Sequence, residues 1–343
     1  MYSALIRPLL FRLPPERAQR AADAVLRAGP AWRAVRPLLE TRDTRLEVEV
    51  AGLRFPNPVG VAAGLDKDCR ILSGLLDCGF GFATGGTVTL TARTGNPRPR
   101  LLREPAQRAL VNALGFPGEG LDSAEARLRQ LASDRPEHAH RVLVSVSGTT
   151  VDEIVECHRR LQRLAAGVEV NVSSPNTSGL RVFHDPDHLR ELLEALLAQR
   201  EKPLFVKLPP WPDLESRSEV LTMASAAASV GADGLVIANT HPVQDGRLAM
   251  GRGGRSGAPL FKTTLAMVSE ARAELPRGLA IVACGGIGHA EHVWQLLQAG
   301  ASAAQLYTAF VYEGPSLPGQ INRGLLERMD RAGISHLPGA SSG

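Results

Sequence analysis

From residue 45 onward the chain repeats one pattern: a short apolar run, a polar exit, then a stretch with helical spacing. The runs are Val59–Ala63, Phe82–Val88, Val142–Val146, Val168–Val172, Leu204–Leu208, Leu235–Ala238, Ala280–Ala283 and Ala304–Leu306. Continuous apolar runs of this length suit strands buried on both faces, and alternation with helices makes the sheet parallel. Eight such units predict an α/β protein, a (β/α)8 TIM barrel over residues 45–335 rather than a doubly wound sheet. The wide gap between the second and third runs, roughly residues 89–141, is expected to cover the barrel mouth.

The exits carry the candidate chemistry. They read Gly64-Leu65-Asp66-Lys67, Thr89, Ser147-Gly148, Ser173-Ser174-Pro175-Asn176-Thr177, Pro209-Pro210, Asn239-Thr240, Gly285-Gly286 and Tyr307-Thr308. In such barrels the C-terminal strand ends hold the active site, and the loops after strands seven and eight commonly take a phosphate. Bare glycine amides at Gly285-Gly286, with a hydroxyl nearby at Thr308, suit a phosphate dianion. Lys67 and Lys207 also fall at strand ends, where a cation is costly unless it meets a charge or ligand. Gly251–Gly257 (GRGGRSG) follows a polar loop and is not read as a dinucleotide fingerprint. His289-Ala290-Glu291-His292 lacks the spacing of a two-histidine zinc helix and is expected to be a solvated helix start, so no metal is expected.

The first forty residues follow a different pattern. Residues 2–12 (YSALIRPLLFR) read as a short apolar turn interrupted by Pro8. A helix then starts at Pro14-Pro15-Glu16, with Pro15 suited to a first helical position and Gly29 just past the end. Ala18, Ala21, Ala22, Val25 and Leu26 are expected along one face, with Arg17, Arg20, Asp23 and Arg27 on the rest. Such a helix either lies on an anionic membrane or packs on its own domain, and the pattern leaves both open. Residues 40–45 (ETRDTR) form a polar linker, and residues 336–343 a flexible tail.

Charge separates the same regions. Seven arginines face three acidic residues in 1–40, so the whole +4 surplus of the 343-residue chain lies at one end. A patch so confined is not a groove for nucleic acid. Arginine outnumbers lysine 35 to 4, which makes each lysine worth locating. With 44% hydrophobic and 22% charged residues the chain is ordinary globular material, not a disordered one. No apolar run reaches the roughly 18 residues of a membrane span. Arg7 and Arg12 interrupt the only early apolar run, which argues against a secretory signal. Cys69, Cys78, Cys157 and Cys284 form no CxxC pair and read as reduced cytoplasmic thiols.

Over nearly its whole length the sequence resembles the dihydroorotate dehydrogenases, specifically the class 2, quinone-linked, membrane-associated group. The likeness is carried by Asn57–Lys67 (NPVGVAAGLDK), Gly79–Thr89, Gly95–Arg100 (GNPRPR), Asn171–Arg181 (NVSSPNTSGLR), Gly253–Leu260 and Gln305–Thr308. NVSSPNT is highly specific, and Ser174 separates the classes because class 1 enzymes carry a cysteine there. The resemblance implies FMN as cofactor, (S)-dihydroorotate and a quinone as substrates in pyrimidine synthesis, and a peripheral place on the cytoplasmic face of the cell membrane through the N-terminal helices. In that chemistry a base removes a proton from C5 while a hydride leaves C6 for flavin N5.

By the same resemblance Ser174 is the base, activated by position and a proton relay that includes Thr177. Lys67, Asn112, Phe116, Asn171, Asn176, Asn239 and Thr240 match substrate positions, Phe116 as a hydrophobic screen. Ala63, Gly64, Thr87, Ser145, Asn171, Lys207, Ala238, Gly257, Gly286, Tyr307 and Thr308 match flavin contacts. An amide-rich site with one cation suits a planar, carboxylated pyrimidine, and Lys207 near flavin N1 suits the reduced, anionic ring.

The sequence departs from the family's pattern at several of these places. N-R-x-G-F-N reads Asn112–Pro117 (NALGFP), losing an arginine at Ala113 and an asparagine at Pro117. Ser145 replaces an asparagine, Ala238 and His241 replace threonines, and Thr84 replaces the glutamate of the second strand. Each change removes a hydrogen-bonding or charged group. The alternative reading is therefore a paralogue with the same FMN and base chemistry acting on another cyclic substrate in specialised metabolism. A barrel kept only for binding is set against the retention of Ser174, Lys67 and Lys207.

Overall fold

The computed structural model describes residues 2–174, 179–211 and 213–338. Eight parallel strands close into a barrel: β1 (Val59–Val61), β2 (Phe82–Val88), β3 (Val142–Val146), β4 (Gly167–Asn171), β5 (Leu204–Lys207), β6 (Gly234–Ile237), β7 (Ala280–Cys284) and β8 (Ala303–Leu306). Strand order follows the sequence, and β8 pairs with β1 to complete the ring. Each apolar run of the sequence is one of these strands, its ends shifted by at most two residues.

The barrel interior changes character along its axis. A hairpin, Val48–Val50 with Leu53–Phe55, brings Phe55 onto Phe82, ring centroids 4.7 Å apart. Gly60 and Gly234 leave room for inward rings, since a Cβ on either would run into Phe82 or Phe205. Close packing of that kind leaves no pore. Toward the C-terminal ends the inward positions turn polar: Thr84, Ser145 and Glu169, then Thr87, Asn171 and Lys207, all buried. Buried polar groups are costly without partners, so their concentration at one end marks where the chemistry sits.

A four-stranded antiparallel sheet covers that end. The excursion after β2 supplies Leu101–Glu104 and Ala109–Asn112, as the long gap in the pattern predicted. The other half comes from the segment after β6, where His241–Gln244 and Arg252–Gly257 form strands. The glycine-rich run is thus an inner strand of the cover. Its three glycines erase the apolar alternation by which a strand is recognised.

Three helices precede the barrel: α1 (Arg7–Arg12), α2 (Pro15–Leu26) and α3 (Gly29–Leu39). Residues 2–12 are helical rather than a turn, because Pro8 falls in the first turn of α1, where it has no N–H bond to lose. The expected single apolar face of α2 is split: Ala18 and Leu26 are buried while Val25 is 60% exposed. The ends of α2 and α3 lie directly on barrel helices, at Gly74 and Gly319, where a Cβ would collide with the carbonyls of Leu26 and Leu39. The linker is pinned, with Glu40 accepting from Arg36 and Arg42 and Arg45 bridging Asp43 and Asp330. Leu337 is 3% exposed, so the expected tail is anchored to that point; residues 339–343 lie outside the described residues. Among the described residues no helix is long and apolar enough to cross a membrane.

Candidate active site

A cavity of about 600 Å³ opens between the strand ends and the cover sheet, a size suited to a small molecule or cofactor. Ala63, Gly64 and Lys67 reach it from the exit of β1, Thr87 from β2, and Asn171 and Ser174 from β4. Lys207 reaches it from β5, and Ala238, Asn239 and Thr240 from the exit of β6. Gly257, Gly286, Tyr307 and Thr308 close one end, and Asn112 and Phe116 close the roof. Asn176 and Thr177 lie outside the described residues. Ser145 is the exception: it is fully buried behind Thr87, its Oγ 3.0 Å from Thr87 Oγ1, and does not line the cavity. A serine is too short to reach past Thr87 from β3.

Hydrogen bonds fix these side chains in one connected network. Asn171 Nδ2 donates to Thr87 Oγ1 at 3.2 Å, and Ser173 donates to Asn171 Oδ1 from both N and Oγ at 3.2 and 3.0 Å. Asn239 Nδ2 donates to Ser173 Oγ at 3.0 Å, and Asn239 Oδ1 accepts from Thr240 N at 2.8 Å. The chain runs from β3 to the exit of β6, and each link contributes about 0.5–1.5 kcal/mol while fixing rotamers. Ser173 was missed as a site residue in the sequence, although it is the node of this network; the first serine of NVSSPNT is its only signal.

The loop after β1 carries Lys67. Gly64 N donates to Gly86 O at 2.7 Å, and the Asp66 carboxylate accepts from Arg70 N and Ile71 N at 2.8 and 2.7 Å. Burial raises the Asp66 pKa to about 6, against the pull of those two bonds. Burial likewise pushes the Lys67 ammonium below its ordinary value, opposed by Asp23, Asp66 and Asp68. A cation held short of full stabilisation by its own protein is ready for an anionic ligand.

At the other end, a Cβ on Gly257 would meet the Arg108 carbonyl, and one on Gly286 would meet the backbone of Phe261. Ser256 Oγ and Thr308 Oγ1, 2.8 Å apart, stand beside them. His289, exposed, is the N-cap of the helix Ala290–Gln298, as its sequence position led one to expect, and both it and His292 also line this end. Their rings lie 3.6 Å apart and His292 stacks on Phe261. Among the described residues no cluster of His, Cys, Asp or Glu has the makings of a metal site.

The positions that depart from the resembled pattern occupy definite places. Phe116 and Pro117 form the lid, with Phe116 at φ +53°, an uncommon backbone for a bulky residue. Ala113 packs with Val111 and Leu248 in the small core of the cover sheet. Thr84 Oγ1 accepts from Gln305 Nε2 at 2.9 Å, Ala238 lines the cavity, and His241 pairs with Arg255 in the cover sheet.

Comparison with known proteins agrees over the same span. The family model described as "Dihydroorotate dehydrogenase" matches residues 45–329. The "Dihydroorotate dehydrogenase (quinone)" of Mesorhizobium japonicum is 40% identical over 331 residues, covering 92% of this chain and 89% of the relative. That of Mycobacterium marinum is 40% identical over 348 residues, covering 97% and 95%. The crystal structure of the Eimeria tenella enzyme in complex with ferulenol superimposes with a TM-score of 0.83 at 30% identity, covering 95% of this chain and 96% of that one. The chain belongs to the dihydroorotate dehydrogenase family.

Proposed function

We infer that the chain oxidises dihydroorotate to orotate and passes the electrons to a quinone, as a step of pyrimidine synthesis. The observation that carries this reading is that Ser174, Lys67, Lys207 and the glycine cradle all open onto one cavity. The donor set fits FMN. The Gly257 and Gly286 cradle with its two hydroxyls suits the phosphate, Ala62, Ala63 and Leu306 offer an apolar wall, and Lys207 with Asn171 offers polar contacts for a ring edge. FMN, when bound, supplies the hydride acceptor and the electron relay to quinone.

The side chains do the rest. Lys67 pairs with the substrate carboxylate, and the amides of Asn112 and Asn239 hold the ring's donor and acceptor edges. Asn112 is itself steadied by donating to Gly254 O at 3.3 Å. Ser174 takes the C5 proton as general base, held at its post by the network through Ser173 and Asn171. Phe116 on the lid keeps water away from the reacting carbon. Purified protein is expected to be yellow, with one FMN per chain, and to bleach when mixed anaerobically with dihydroorotate. A flavin-loaded protein that does not bleach rejects dihydroorotate as substrate.

The N-terminal helices serve as the membrane contact and the quinone entrance. Leu5, Leu9, Val25 and Leu38 are large apolar side chains left exposed there, Leu38 at 81%, beside the chain's surplus of arginines. Burying a leucine in lipid is worth about 1.5–3 kcal/mol, so Leu9→Asp with Leu38→Asp is expected to weaken binding to anionic vesicles more than tenfold. Quinone reduction in those vesicles falls with it, while bleaching by dihydroorotate is unchanged. Vesicle binding equal to that of wild type would remove the membrane role.

A further inference from the structure

A carboxylate lies beneath the cavity that the chemistry above does not use. Glu169, on β4, is 0% exposed, and neither of its carboxylate oxygens has a hydrogen-bond partner among the described residues. Its Oε1 stands 3.7 Å from Nζ of Lys207, which is 4% exposed on the neighbouring strand β5. The register pairs Asn171 with Lys207 and Glu169 with Phe205, so Glu169 is one inward position below the Asn171 that lines the cavity. Lys207 reaches the cavity; Glu169 does not.

We propose that Glu169 is a positioning residue that keeps Lys207 protonated at the cavity floor and thereby sets how readily the bound flavin is reduced. The proposal rests on the flavin reading above. A carboxylate buried without hydrogen bonds is costly and is retained only beside a compensating charge. Among the described residues two ionisable groups face Lys207, Glu169 from β4 and the Cys284 thiol from β7. Burial works to strip the lysine of its proton, but these neighbours outweigh it and hold its pKa above the ordinary value. Burial also raises the Cys284 pKa, which leaves that thiol neutral and Glu169 as the deciding partner. The pair carries no net charge but presents its positive end to the cavity.

Removing the carboxylate has two consequences that pH separates. With Lys207 still protonated, loss of the negative charge makes flavin reduction easier. Once Lys207 loses its proton, the positive end is gone and reduction becomes harder than in wild type. The test uses the FMN-loaded full chain. With four lysines in the chain, carbon-13 labelling at lysine Cε lets Lys207 be titrated by NMR, and the flavin midpoint potential is measured against pH on the same samples.

For Glu169→Gln the Lys207 titration is expected to fall by about one pH unit or more, a tenfold change in its protonation ratio. The potential curve should lie above wild type at low pH and below it at high pH, crossing at the lysine's new pKa. Glu169→Asp, which retracts the charge by one methylene, should fall between the two and serves if the glutamine variant does not fold. An unshifted lysine titration with parallel potential curves overturns the proposal and leaves the flavin reading standing. A wild-type chain that binds no FMN overturns both.

Discussion

Ser174→Ala is expected to slow flavin reduction by dihydroorotate by roughly 10²–10⁴-fold, the usual loss of a general base, while the flavin stays bound. Ser174 opens onto the cavity from the exit of β4. The hydrogen bonds that anchor its loop to the barrel run through Asn171, Ser173 and Asn239. Those three anchors do not involve the Ser174 hydroxyl, so Ser174→Ala leaves them in place. Ser174→Cys should retain partial activity with its pH profile moved downward, because a thiolate forms at lower pH than an alkoxide. Anaerobic stopped-flow mixing, followed by flavin absorbance, measures all three. Equal rates in wild type and Ser174→Ala would take Ser174 out of the mechanism. A slow Ser173→Ala alongside a fast Ser174→Ala would move the role to its neighbour.

The barrel was legible in the sequence because its strands are buried on both faces, so each is a short, mainly apolar run with a polar exit. The cover sheet was legible only in part. Arg252–Gly257 lies between two other strands, yet three of its six residues are glycine, and no pattern of apolar positions survives. Ser145 shows a second limit. Sequence position places it on the right strand and facing the right way, but side-chain length decides whether it reaches the cavity, and Thr87 stands in front of it. The two histidines do begin a helix, with His289 at its N-cap, but their place beside the cavity was not legible. A helix start is solvated by default, and only the tertiary fold turns His289 and His292 toward the glycine end of the cavity. Glu169 was hidden in plain sight within the apolar run Val168–Val172, since nothing local says that Lys207 lies beside it on the next strand.

Gly286→Ala is expected to weaken FMN binding more than tenfold and to lower the melting temperature, whereas Gly288→Ala, two residues on, should do neither. Gly286 has φ +73°, a conformation that L residues adopt at a cost of about 1 kcal/mol or more. A Cβ there would also fall on the backbone nitrogen of Phe261, with Phe261 Cα at 2.6 Å and the Leu260 carbonyl carbon at 2.9 Å. None of these atoms belongs to a side chain that can swing away. Either the loop or the start of the helix Phe261–Glu274 must move. Movement by about an ångström carries the amides of the cradle out of hydrogen-bond geometry, and each bond lost to a charged phosphate costs about 1.5–3 kcal/mol. Gly288 carries neither handicap: its φ lies outside the left-handed region, and its Cβ would meet only Ala309 Cβ at 3.6 Å, an ordinary contact. Titrating the apoproteins with FMN separates the two, with thermal melting of the same samples as the check on folding. Equal affinity in both variants would take the loop after β7 out of the phosphate site and shift that role to Ser256 and Thr308, whose hydroxyls face each other across the same end of the cavity.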